Sequence, residues 1–401
     1  MNISKFKNSK KFYIDSITTG KENKNEVNIT FQNEDGNRIM INNMVPAFLK
    51  VSDKDSIAKE IIMSDIAFLL DIDVSMVYKV TNDRDEEAII SKSVCNQQEL
   101  LISMDYVFKK LYQKYSSGIS ASSNWMTRAL QIPESTEENP LTAENELKEL
   151  IDMGINSAYE AFNIQDKRPN EFKNKYLSMI LFDYITNQKT RNANDYSIIV
   201  NKDTKLSRLS PLYSIGNIAE DEIKTISFNN RIVERNSLIN VLYKYYYPYI
   251  KELSQCISLH NETYLKSIKL ICDFNAKREL ADKILIQIKK NIDYIQKLDA
   301  QYSGAIKETK IDYTQTTIRI NQTVMKKNLL IQNKYPEKLL QSRCLEVNPV
   351  IEEEKEIGVK ISCEKPIKQS GFSNVFLITS AIAFVCGLGV GIAYFLIMFN
   401  K

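Results

Sequence analysis

Apolar and polar positions change rhythm three times along this chain of 401 residues. Over the first hundred, short strand-like runs dominate. Residues 25–32 (NEVNITFQ) alternate with a period of two, Asp35-Gly36 supplies a turn, and residues 37–43 (NRIMINN) return as the second arm of a hairpin. Residues 45–51 (VPAFLKV) predict a further strand, with Lys50 near its end. Residues 55–70 then place Ala58, Ile61, Ile62, Ile66, Leu69 and Leu70 at the i, i+3, i+4 recurrence of an amphipathic helix. Two more strands follow, at 74–81 and 86–94. Three strands, a helix and two strands predict a small mixed unit over residues 1–96.

From Gln97 the rhythm becomes helical, and a larger unit is expected over 97–302. Pro133, Pro140 and the polar stretch 116–124 mark loops, and 141–153 reads as a short amphipathic helix. Residues 176–217 run from an apolar helix through a polar loop into two short strand-like runs, ending in Pro211-Leu212-Tyr213 and its continuation. Residues 237–250 contain Tyr243, Tyr245, Tyr246, Tyr247 and Tyr249. Such a cluster can stack bases, but without a surrounding basic patch, packing between helices is the expectation. Residues 258–298 predict one or two closing helices.

The third change comes at Ser303. Residues 303–370 are mixed and polar, with Pro336, Pro349, Pro366 and an acidic run at Glu352-Glu353-Glu354, and read as a stalk. Helical spacing within 314–341 would stiffen it. Residues 371–401 read as an anchor, because 375–399 is a run of 25 residues without a charge. As a helix it is about 37 Å long against a hydrocarbon core of about 30 Å, so a single membrane span is expected.

Composition narrows the chemistry. With 43% apolar and 26% charged residues the chain can bury a sizeable core. A net charge of +3 offers no electrostatic case for nucleic acid, so no such partner is expected. Six scattered Cys without metal-ligand spacing point to reduced thiols. His260 is the single histidine and has no partner motif, which removes Ser-His-Asp and Cys-His chemistry.

Three sequence features carry a resemblance. Residues 187–192 (NQKTRN) stand where a loop N-T-D-R-[HN]-x-x-N would lie, after Leu181-Phe182-Asp183. Residues 210–214 (SPLYS) stand where A-P-L-[FY]-D would lie. Lys50 on a third strand and Glu60 on the next helix, ten residues on, match a phosphate-binding Lys and the Glu that orients it. The chain thereby resembles the HipA-type kinases of bacteria, over roughly residues 20–300. The resemblance implies an α+β fold of two protein-kinase-like lobes, a small mixed N-lobe and a mainly helical C-lobe, followed by the stalk and one C-terminal transmembrane helix.

The same comparison implies impaired catalysis. The position of the catalytic base holds Thr190, beside the retained Arg191. The metal positions hold Asp195, where the family has Asn, and Ser214, where it has Asp. Neutral hydroxyls neither take a proton at neutral pH nor hold Mg²⁺ well. Few glycines precede Lys50, so the loop that cradles phosphate is also reduced. The expectation is a membrane-tethered pseudokinase that binds a partner and, weakly and with little dependence on Mg²⁺, ATP. An active Ser/Thr kinase with carboxylates relocated to Asp183, Asp195, Glu220, Asp221 or Glu222 is the alternative, and a non-enzymatic scaffold at the membrane surface is a third reading. Lys360, Lys365 and Lys368 before the span predict a cytoplasmic N-terminal part and a tail anchor. Ala383, Gly387 and Gly391, spaced by four, suggest a homodimer through the span.

Overall fold

Strands β1 (Phe12–Thr18), β2 (Lys24–Phe31) and β3 (Val45–Val51) open an antiparallel sheet of five, completed by β4 (Val77–Thr81) and β5 (Glu87–Lys92) in the order β1-β2-β3-β5-β4. The computed structural model describes residues 12–18, 24–31, 45–75, 77–81, 87–96, 98–116, 125, 128–129, 131–164, 166, 170–213, 215–303 and 313–335. Contacts divide the chain into the units Met1–Glu346 and Val347–Lys401, and all described residues belong to the first. The expected span at 375–399, with its small-residue face, lies outside them. Among the described residues no helix is long and apolar enough to cross a membrane.

The first hairpin differs from the expectation. β2 pairs with β1 on one edge and β3 on the other, and the returning arm expected at 37–43 lies outside the described residues. The register of β1 against β2 shifts between Ile14 and Ser16, a bulge at Asp15 that breaks the alternation by which β1 would be seen in sequence.

Helix α1 (Lys54–Leu69) joins β3 to β4. It begins at Asp53, whose carboxylate accepts the Ser56 N–H at 2.9 Å and so satisfies one of the unpaired donors of the first turn. Its isoleucines are weaker helix formers than Ala by about a few tenths of a kcal/mol each, whereas full burial contributes about 1.5–3 kcal/mol each. Burial therefore decides, and α1 is enclosed on most sides. Ile57 and Ile61 pack with Ile89 of β5, while Ile62, Met63, Ile66 and Ala67 join the main core.

Beyond residue 98 the chain forms α2 (Met104–Ser116), α3 (Glu144–Ala161), α4 (Glu171–Ile185), α5 (Arg235–Leu259), α6 (Asn261–Asn275), α7 (Arg278–Ser303) and α8 (Tyr313–Lys334). Strands β6 (Glu99–Ser103), β7 (Asn163–Ile164), β9 (Ser197–Asn201) and β10 (Leu206–Leu209) make a second sheet, ordered β6-β9-β10-β7. Strands β8 (Thr190–Arg191), β11 (Thr225–Phe228) and β12 (Arg231–Glu234) make a third. Asn229 and Asn230, at φ 47° and 62°, form the two-residue turn between β11 and β12, as a primed hairpin turn requires.

The apolar helix read at 176 onward is α4, buried on nearly every side. Asn291 of α7 donates to the Ile185 carbonyl at 3.0 Å, closing the end of α4 just before the polar loop. Helix α3 runs past the expected end at 153, and Gly154 continues it for a packing reason. A Cβ there would lie 2.2 Å from the Tyr176 hydroxyl. Tyr243 and Tyr247 pack on each other and on Tyr302, and Tyr247 donates to the buried Asp299 at 2.7 Å, so these tyrosines serve the interior. Where the sequence suggests a stalk from 303, α8 packs against α1 and α6, burying Val324, Ile331 and Tyr335.

Candidate functional site

Lys50 and Glu60 meet. Lys50, one residue from the end of β3, reaches across to α1, and its Nζ lies 2.5 Å from Glu60 Oε2. Glu60 is buried, whereas the Lys50 side chain is half-buried and keeps part of its surface exposed. Both ends of the pair stand on rigid elements. The strand register sets Lys50 opposite Ile89, and α1 is anchored by its cap and its enclosed apolar sides.

The segment after Pro211-Leu212-Tyr213 is drawn to the same place. Leu212 exchanges backbone hydrogen bonds with Asp73 and Ser75, both at 2.8 Å, tying the turn to the chain that leaves α1. A Cβ at Gly216 would lie 3.1–3.2 Å from Glu60 Cβ, Cα and N. Only a residue without a side chain passes Glu60 so closely without displacement. Lys59 then pairs with Glu220 at 2.7 Å, and Lys283 approaches Glu220 at 3.5 Å. Ser214 lies outside the described residues.

The polar loop is built from backbone pairing and two asparagines. Asn187 takes φ 58° at the end of α4, and its Nδ2 donates to the carbonyls of Ala219 and Asp221 at 3.0 and 2.8 Å. Lys189 N donates to Asn217 O and Ala219 N to Asn187 O, each at 2.9 Å, so the loop lies antiparallel to 217–219. Thr190, which the sequence resemblance sets at the base position, accepts a hydrogen bond from Asn217 Nδ2 at 3.0 Å. An amide donor is a partner that leaves the hydroxyl neutral, and it provides no acceptor for its proton.

Arg191 points inward. Its Nε and Nη2 donate to the two carboxylate oxygens of Asp183 at 2.8 and 2.7 Å, and Nη1 donates to Asp195 O at 3.1 Å. Both side chains are buried. Burial opposes the charge on Arg191, but the Asp183 carboxylate outweighs it and pushes the guanidinium pKa up. Burial likewise pushes Asp183 up, with Arg191 holding against it. The two-pronged geometry is that of an ionised pair. Arg191 and Asp183 thus brace the loop.

Asp195 turns back on its own loop, Oδ2 accepting the Asn192 N–H at 2.8 Å. Of the other acidic groups considered for metal, Glu220 is held by Lys59 and Glu222 pairs with Lys290 at 3.3 Å. Among the described residues no group of three or more His, Cys, Asp or Glu is arranged to hold a metal ion. Gly216 and Asn217, which shape this site, lie two and three residues after Ser214 in sequence. The signal for them was their place shortly after the Pro-Leu-Tyr turn.

No protein-family model and no curated protein matches the chain. Among solved structures it is similar to the proinflammatory kinase CtkA of Helicobacter pylori, with 11% identity and a TM-score of 0.43 over 69% of this chain and 95% of that one. It is also similar to a chain in a Shewanella oneidensis toxin–antitoxin complex of HipA, HipB and operator DNA. There the identity is 11% and the TM-score 0.36, over 72% of this chain and 66% of the matched one.

Proposed function

We propose that this chain is a HipA-like pseudokinase that retains a weak nucleotide site at Lys50 and Glu60 and has lost phosphoryl transfer. The observation that carries the reading is the 2.5 Å ion pair between a third-strand lysine and the following helix, found where the sequence resemblance calls for it. A lysine so oriented, with an exposed side, suits the phosphates of ATP.

Loss of transfer is supported by what stands around it. Thr190 is bonded to an amide rather than poised as a base, and Asp183, Glu220 and Glu222 are each engaged by a cation. With Ser214 where an Asp would hold Mg²⁺, nucleotide should bind by its phosphates and Lys50, with little dependence on the ion. The charge-free run at 375–399 supports tethering to a membrane, and the chain then acts by holding a protein partner there.

The test is a thermal-shift titration of the full chain with ATP, with and without Mg²⁺, beside Lys50→Ala. Stabilisation in both conditions is expected, with the apparent affinity of Lys50→Ala lower by about tenfold or more for loss of a charged hydrogen bond. Strictly Mg²⁺-dependent binding would favour the relocated-carboxylate kinase. No shift under any condition would leave the scaffold reading.

A further inference from the structure

Asp65 lies five residues after Glu60, about 140° further round α1, and so faces away from the strand that carries Lys50. It is buried, and both its oxygens are taken by the end of α8 and the residue after it. Lys334 Nζ donates to Oδ1 at 2.6 Å and the Tyr335 hydroxyl donates to Oδ2. Burial, and then the Asp65 carboxylate, push the Tyr335 pKa well up, so its phenol stays a donor. Tyr335 is itself fixed to α6, its ring 4.7 Å from that of Phe274 and its hydroxyl accepting from Asn275 Nδ2 at 3.0 Å. A second tie lies one helix turn or more back. Lys327 pairs with Asp71 at 3.2 Å and sits 3.7 Å over the Phe68 ring. Asn328 bonds Ser267 of α6.

We propose that Asp65, Lys334 and Tyr335 form a latch that positions α1, so that docking of α8 sets how well Glu60 holds Lys50. The latch rests on the nucleotide reading for its consequence but not for its existence. The chemistry favours a latch over ordinary packing because a buried carboxylate tolerates separation from its donors poorly. Withdrawing α8 takes both donors from Asp65 and uncovers that face of α1, so the helix loses its bracing on the side away from Lys50. Anything that pulls on or binds the chain following 335 would then be felt at Lys50. Asp65, Lys334 and Tyr335 are positioning residues that act through Glu60.

The experiment compares full-length wild type with Lys334→Met/Tyr335→Phe, with Tyr335→Phe alone as a milder second variant and Lys334→Arg as the conservative rescue. Amide hydrogen exchange is read over 54–69, with α4 as internal reference, and ATP affinity is read by calorimetry well below the melting temperature. Exchange over 54–69 should quicken about tenfold or more in the double variant, by less in Tyr335→Phe, and stay near wild type in Lys334→Arg. ATP affinity should fall in the same order. Equal exchange in wild type and both loosened variants overturns the latch. Faster exchange with unchanged ATP affinity overturns its control of Lys50. Wild type that binds no ATP removes the nucleotide reading, and the exchange result still decides the latch.

Discussion

At the scale of single residues, the buried pair of Arg191 and Asp183 is the most consequential contact near the loop. Removing one partner strands the other charge in the interior, which typically destabilises by about 3–5 kcal/mol, while replacing both by apolar groups of similar size is often neutral. Arg191→Met should therefore lower unfolding stability in urea sharply, and Asp183→Leu/Arg191→Met should recover most of the loss. Equal losses in the single and double variants would show that Asp183 is not the partner that matters. The pairing of Lys50 with Glu60 was legible in sequence, since the two stand ten residues apart on a strand and the next helix. The role of Arg191 as a brace was not, because nothing in spacing tells an inward guanidinium from one facing a substrate. Asn217 and Gly216 were missed for a related reason. Their importance comes from passing Thr190 and Glu60 in space, 27 residues after the one and 156 after the other.

Among elements, α1 carries the site and is pinned from several directions. The Lys59–Glu220 pair ties it to the segment following Gly216, and gives a pH signature. Lys59, with help from Lys283, holds the Glu220 carboxyl below its ordinary value of 4.5. A carboxyl lowered on folding contributes stability that is present above the unfolded pKa and lost as pH falls through the folded one. The pair is partly exposed, so the contribution is about 0.2–1 kcal/mol. Glu220→Gln should be less stable than wild type by that amount at neutral pH, and the gap should close as pH falls below 4.5 in chemical denaturation. A gap that persists at low pH would place the stabilisation elsewhere. The strands and helices with regular patterns, β3, α1, β5 and α4, were readable. β1 was hidden by its bulge, and the continuation of α3 by a glycine whose need is set by Tyr176. For α8, a polar sequence followed by Pro336 suggested a stalk, whereas the buried Val324 and Ile331, with Tyr335 just past its end, pack it against α1 and α6.

At the scale of the whole molecule, the proposal is that Lys50 and Glu60 keep a phosphate site while the groups that would move a phosphoryl group are replaced or occupied. The direct measurement is transfer of the γ-phosphate from labelled ATP, to the chain itself and to a general protein substrate, by wild type, Lys50→Ala and Thr190→Asp/Asp195→Asn/Ser214→Asp. The triple variant installs together the three groups that the HipA-type loop and turn would carry, because groups that act as one catalytic unit show little effect when changed singly. Wild type and Lys50→Ala should show no transfer above background, with transfer emerging in the triple variant. Transfer by wild type that Lys50→Ala abolishes would contradict the proposal.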